Sequence, residues 1–167
     1  GLENFNSQEI LEKCAEYFDI KKVGCENCSQ KELKAAYNEG KKSFAYFDGN
    51  AHYVLTLKDI SVMNSLFPDS SEAYKGLDVN VLHSLILEKL FGIDKENMAK
   101  QINLTYTKFV EEALDCVRSG NANCCFLLNP TRVEEIRDVA AAGEKMPQKS
   151  TYFYPKLITG LVMNKLD

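Results

Sequence analysis

Ser43-Phe-Ala-Tyr-Phe-Asp-Gly-Asn-Ala-His-Tyr-Val-Leu-Thr-Leu57 is the stretch that decides the fold. Two runs of aromatic and β-branched residues, 43–47 and 51–57, flank Asp48-Gly49-Asn50. Glycine reaches positive φ without a Cβ clash, so a tight turn closes there and the runs pair as an antiparallel hairpin. In the second run Tyr53, Leu55 and Leu57 alternate with His52, Val54 and Thr56, and one face is the more apolar. The hairpin is therefore expected to be half-buried.

Upstream, Ile10, Leu11, Cys14 and Phe18 recur at helical spacing behind Asn6 and Ser7, which predicts a capped helix over 6–18. The stretch 20–28 reads as a connection. Ser29-Gln-Lys-Glu32 has the capping-box pattern, and Leu33, Ala36 and Tyr37 line one face of the helix it opens, with Gly40 as its stop. Downstream of the hairpin, 58–67 predicts a short helix ended by Pro68, and 69–75 a polar loop. Asp78 is placed to cap the next helix, with Leu77 stapled on Leu82. Val81, Leu82, Leu85, Ile86 and Leu90 give that helix the widest apolar face in the chain, so it is expected against the sheet.

The stretch 102–106 is strand-like. Thr107 caps a helix through Ser119 with Val110, Ala113, Leu114 and Val117 inward, and Gly120 stops it. The continuous apolar run 122–128 predicts a strand covered on both faces. Thr131-Arg-Val-Glu134 is a second capping box, opening a helix to about Ala142 with Val133, Ile136 and Ala140 inward. The apolar stretch 157–166 closes the chain as a strand or short helix. The expected class is α+β in a single domain over 1–167. Its mixed sheet would join the N-terminal antiparallel hairpin to a C-terminal βαβα(β) unit, with helices packed on the sheet.

The totals bound the function. Apolar residues make up 45% and charged residues 26% of 167, enough for one core. A net charge of −4 argues against a general nucleic-acid surface. No apolar run approaches the ~20 residues of a membrane helix, and no basic-then-apolar leader is present, so no membrane partner and a cytoplasmic location are expected. Gly1 reads as an expression remnant, and the chain as an excised piece of a longer protein.

Six cysteines occur at irregular spacing. Cys25-Glu-Asn-Cys28 has the spacing of half a zinc site or of a redox pair, but no second such pair follows, and the two histidines, His52 and His83, stand apart. The favoured reading is reduced structural thiols, with no metal site. Adjacent Cys124 and Cys125 would point to opposite faces of a strand. His83, beside an apolar stripe, reads as a packed residue rather than a catalyst. The neighbours Glu111 with Glu112 and Glu134 with Glu135 do not face each other on a helix and read as solvated.

The segment Gly143-Glu-Lys-Met-Pro-Gln-Lys-Ser-Thr-Tyr-Phe-Tyr-Pro-Lys156 carries the functional expectation. Its start approaches a phosphate-binding loop, but Gln148 stands where the second glycine is needed, Pro147 removes an N–H, and a helix precedes it. A true phosphate loop is rejected. Lys145, Lys149 and Lys156 with Ser150 and Thr151 could still hold a phosphate or carboxylate as point charges. Arg132, at a helix start, could assist. The plainer alternative is that Gly143 ends a helix, the polar residues solvate a loop, and Tyr152, Phe153 and Tyr154 pack.

Together with Leu77-Asp-Val-Asn-Val-Leu-His83 and Phe126-Leu-Leu-Asn-Pro-Thr-Arg132, this segment resembles a prokaryotic family of uncharacterised proteins, domain of unknown function 1015. The resemblance covers roughly 76–162. It implies that the chain is the C-terminal portion of a protein more than twice as long. The N-terminal half of that protein would carry a Gly-His-His-Arg type segment similar to partition-protein and serine-kinase domains of the sulfiredoxin-like class. No such segment is present in this sequence, and no catalytic residue is carried over.

Two functions are therefore expected in parallel. In the first, Lys145, Lys149, Ser150, Tyr154, Lys156 and Arg132 bind an anionic small molecule, a nucleotide or phosphometabolite, and any activity needs the N-terminal half. In the second, the domain is an interaction module. The same segment then docks on that half or on a second copy in a homodimer, with Tyr152 and Tyr154 as anchors. No cofactor is specified.

Overall fold

The computed structural model describes residues 5–148, 150 and 151. Its sheet has four strands, β1 (Phe18–Val23), β2 (Ser43–Phe47), β3 (His52–Leu57) and β4 (Cys125–Leu128), in the order β1-β3-β2-β4. Around it run α1 (Ser7–Cys14), α2 (Glu26–Asn38), α3 (Val62–Leu66), α4 (Glu72–Lys75) and α5 (Asp78–Val81). A π-helical segment (Leu82–Glu88) continues α5, and α6 (Lys95–Lys100), α7 (Val110–Arg118) and α8 (Val133–Ala141) follow. The fold is α+β, with the antiparallel hairpin in front and helices packed on the sheet.

The hairpin closes as its turn chemistry requires. Phe47 stands opposite His52 and Ser43 opposite Thr56. The Asp48 carboxylate accepts the N–H groups of Asn50 at 2.9 Å and Ala51 at 2.8 Å, and Gly49 takes φ 89. The Asp48 side chain thus mimics a backbone turn, and the glycine supplies the left-handed residue. Ser7 at the start of α1 donates to Asp48 at 2.5 Å, which ties the turn to the first helix.

The hairpin is more than half-buried. Every residue of β2 is buried. Phe44 and Tyr46 face one core with Phe18, Leu55, Leu11, Cys14 and Met63, completed by Val81, Leu82, Leu85 and Ile86. Phe47 joins Leu114 and Val117 of α7 in a second cluster on the other side. Helix α2 lies across β2 and β3, burying Leu33 and Ala36. A third cluster joins Leu77 and Val79 to Val139 of α8. Cys124 packs against the first cluster and Cys125 against the second, as period-two alternation requires.

Several local expectations are corrected. Phe18 belongs to a strand, not to the first helix, and β1 runs through part of the stretch read as a connection. Helix α2 starts at Glu26 rather than after Ser29, which is buried and donates to the Glu26 carbonyl at 2.7 Å. Within the run 122–128, Cys125–Leu128 form β4, one of the two outer strands among the described residues, and Leu128 is 37% exposed. The cover of the run is partial on both faces, with Cys124 and Phe126 against the first cluster and Ala122 and Cys125 against the second.

No strand forms over 102–106. The backbone there folds back on α6, with the N–H of Ile102 donating to the Asn97 carbonyl and that of Asn103 to the Asn97 side chain. Every strand pairing among the described residues is antiparallel, and the expected closing element over 157–166 lies outside them. Helix α8 is rotated from its predicted face. Val139 is fully buried, whereas Val133 is 75% exposed and Ala140 is also exposed.

The most apolar helix does pack on the sheet, but in π form. The N–H of Lys89 reaches the Ser84 carbonyl at 3.3 Å and that of Phe91 reaches Ile86 at 3.0 Å, each five residues back. Leu77 packs in the third cluster while Leu82 packs in the first, so the expected staple between them does not form.

Leu85 is 0% exposed in the first cluster. Leu85→Ala should cost about 2–5 kcal/mol in urea unfolding, by lost transfer energy plus the cavity left behind. Val133→Ser on α8 should stay within about 0.5 kcal/mol. Equal losses at the two positions would contradict this placement of the core.

Candidate functional site

One polar cleft of about 180 Å³ opens where α2 ends, β2 begins, and α5 and α8 start. Tyr37, Gly40, Lys41, Lys42, Asp78, Arg132 and Glu135 line it. The topology brings them together. Lys42 is fixed because its carbonyl accepts the N–H of Leu57 at 2.8 Å, extending the hairpin ladder by one residue. Asp78 opens α5, and Glu135 lies in the first turn of α8. Asn129 donates to the Leu33 carbonyl at 3.1 Å, which pins the β4–α8 loop against α2.

Lys42 holds the cluster. Its ammonium lies 2.8 Å from Glu135 and 3.0 Å from Asp78, and all three side chains are less than one quarter exposed. Burial works against its charge, but Asp78 and Glu135 outweigh it and hold the ammonium above its ordinary range. Asp78 shows the opposite balance. Burial raises its carboxyl above the ordinary value, and Lys42 offsets this only in part. The buried Asp78 Oδ1, though close to Lys42, has no aligned hydrogen-bond donor. Asp78 was expected as a helix cap; its side chain instead joins this cluster, and Leu77 occupies the cap position.

Arg132 forms one wall. Its guanidinium lies 4.0 Å from the Tyr37 ring centre and donates to the Tyr37 carbonyl. Its backbone N–H donates to Glu135 at 2.9 Å. The cap of α8 is therefore shifted one residue from the predicted box, to Arg132 with Glu135. Thr131, freed from capping, donates to the Ser150 carbonyl at 2.8 Å.

The segment after α8 is docked rather than projecting. Gly143 takes φ 75, and Glu144 N–H bonds back to Val139 at 3.1 Å, which closes the helix end. The Glu144 carboxylate accepts from the backbone and hydroxyl of Ser71, and the hydroxyl bond holds its carboxyl below the ordinary range. Met146 packs against the third cluster.

Of the residues singled out in the sequence, Arg132 lines the cleft and Ser150 is tied to its neighbour Thr131. Lys145 is exposed on the surface. Lys149, Tyr152, Phe153, Tyr154 and Lys156 lie outside the described residues. Sequence reading missed Lys41, Lys42, Asp78 and Glu135 as site residues. The signal for Glu135 was its place three residues after the true cap. Nothing local marks Lys42, which matters only once β2 is placed beside α8.

Two other candidates are settled by position. Cys25 and Cys28 are joined in a disulfide, which corrects the reading of reduced thiols. His83 is partly buried, with its ring 6.4 Å from that of Tyr106.

Lys42→Met leaves two half-buried carboxylates without their cation. It should cost about 2–3 kcal/mol in denaturant unfolding, below the fully buried range because some solvent reaches the site. Adding Asp78→Asn should recover part of that loss; a double variant no better than the single one would contradict the shared ion cluster.

Burial lowers the affinity of His83 for protons. Its stabilising contribution is thus complete above the unfolded value of about 6.5 and is lost as pH falls through the depressed folded value. His83→Gln should flatten the fall in stability between about pH 7 and 5. An unchanged slope would count against a buried neutral imidazole.

No family model matches the chain, and neither does any curated protein or solved structure.

Proposed function

We propose that this is a binding domain whose site is the α2–β2–α8 cleft, and that it takes a small phosphorylated metabolite. The observation that carries the reading is Arg132, held at the cleft wall by the Tyr37 ring and carbonyl, beside Lys41. A guanidinium has five donors in a fixed fork, so one bond to a carbonyl leaves others free for an anion. The volume of about 180 Å³ lies below the ~300 Å³ at which sites for larger ligands begin, so a phosphometabolite fits better than a whole nucleotide. The Ser150 carbonyl accepts from Thr131, the residue before Arg132, at the edge of this site.

A second reading has its own support. Leu128, at the end of the outer strand β4, is 37% exposed, and nearby Val133 is 75% exposed. Exposed apolar residues close in sequence to an outer strand suit docking on the N-terminal half of a longer parent protein or on a second copy.

Isothermal titration with a panel of phosphorylated metabolites and nucleotides tests the first reading. Small phosphate esters should release heat, and Arg132→Gln should weaken binding at least tenfold, about 1.4 kcal/mol. Lys145→Gln should change binding less than twofold. Absence of heat with every phosphate ester, or unchanged binding in Arg132→Gln, would remove this reading. Self-association abolished by Val133→Asp would favour the second.

A further inference from the structure

Helix α2 begins with a disulfide that the cleft does not use. Cys25 is the N-cap residue, and its sulfur accepts the N–H of Cys28 at 3.2 Å. The two residues are three apart in sequence, with Cα atoms 5.1 Å apart. Cys25 is exposed and Cys28 partly buried.

We propose that Cys25 and Cys28 form a redox-active couple that exchanges two electrons with thiols of another molecule. A structural staple is the weaker account. Closing so short a loop removes less chain entropy than closing a long one, and it joins no separate elements. The placement suits exchange instead. A thiolate at Cys25 would lie at the positive end of a helix 13 residues long, with the Cys28 N–H already directed at it. Glu26, whose charge would oppose a thiolate, is drawn off by Arg118 at 3.4 Å.

The exposure difference sets the order of attack. A thiolate of the reductant attacks the exposed Cys25 sulfur. The Cys25–Cys28 bond breaks, and Cys28 leaves as a thiolate that takes up a proton. A second thiol of the reductant, deprotonated, then attacks the reductant sulfur of the mixed disulfide. Cys25 is released and protonated in turn. Two reductant thiols have become one disulfide, and the Cys25–Cys28 disulfide has become two thiols. The reverse sequence oxidises a partner dithiol.

The test equilibrates the full chain in glutathione buffers of stepped reduced-to-oxidised ratio. Acid quenching, alkylation and peptide mass spectrometry then read each cysteine. The pair should pass from fully oxidised to fully reduced within the series, gaining two labels together. A pair that stays oxidised in the most reducing buffer, or reduced in the most oxidising one, overturns the proposal. With oxidised glutathione, Cys28→Ser should trap a mixed disulfide on Cys25 at least ten times faster than Cys25→Ser traps one on Cys28. Equal rates in variants of unchanged helical circular dichroism would remove the assigned order and, with it, the exposed nucleophile on which the proposal stands.

Discussion

Burial of β2 on both faces is the constraint on which the rest of the structure depends. A strand in that position cannot leave N–H or C=O groups to water, so it must be paired on both edges. β3 pairs one edge through a turn of minimal length, and β4 must come from far along the chain to pair the other. Its side chains then need cover above and below. The first cluster supplies one layer with α1, α3 and the π-helical segment, and α2 with α7 supplies the other. The turn at Asp48 is fixed in the same arrangement, because Ser7 hydrogen-bonds both to Asp48 and to the Tyr46 hydroxyl.

The charge cluster follows from the same geometry. Where β2 emerges from its cover, its preceding residue is Lys42, and that end of the sheet faces the first turns of α5 and α8. First helical turns attract carboxylates, and Asp78 and Glu135 occupy them. One ammonium then serves two carboxylates in a partly desolvated space. Such a cluster gains little over apolar packing, but removing the shared cation costs much. It therefore fixes the relative placement of hairpin and helices more than it adds stability.

The sequence reveals this arrangement unevenly, and the reasons are physical. Asp48-Gly49-Asn50 has a turn chemistry with few alternatives, so the hairpin was legible. Positive φ at Gly40, Gly92, Gly120 and Gly143 marks chain reversals that glycine signals well. Burial was less legible. The runs 43–47 and 122–128 are both continuous and apolar, and only tertiary order decides which one lies in the middle. β1 escaped notice because Asp19, Lys21 and Lys22 are exposed in an outer strand, which leaves it no apolar run. The face of α8 was misread because Val133 and Ala140 are apolar yet exposed, while Val139 is the residue that is fully buried. Lys42 carries no motif at all; its role arises from neighbours that are distant in sequence.

Helix α2 runs between the Cys25–Cys28 disulfide and the polar cleft. It is 13 residues long, which spans about 20 Å at 1.5 Å per residue. Its N-terminus carries Cys25, where the helix dipole favours negative charge. Its C-terminus meets the opposite requirement, because the last carbonyls of a helix lack donors within it. Arg132 donates to the carbonyl of Tyr37, and Lys41 and Lys42 follow directly in the chain. Arg132 thus answers a need of the helix end, while the Lys41 and Lys42 ammonium groups pair with carboxylates. That same need holds Arg132 at the end of α2. An arginine satisfied through one donor and stacked on Tyr37 is already oriented, so an arriving anion would not have to bear the entropy of ordering it.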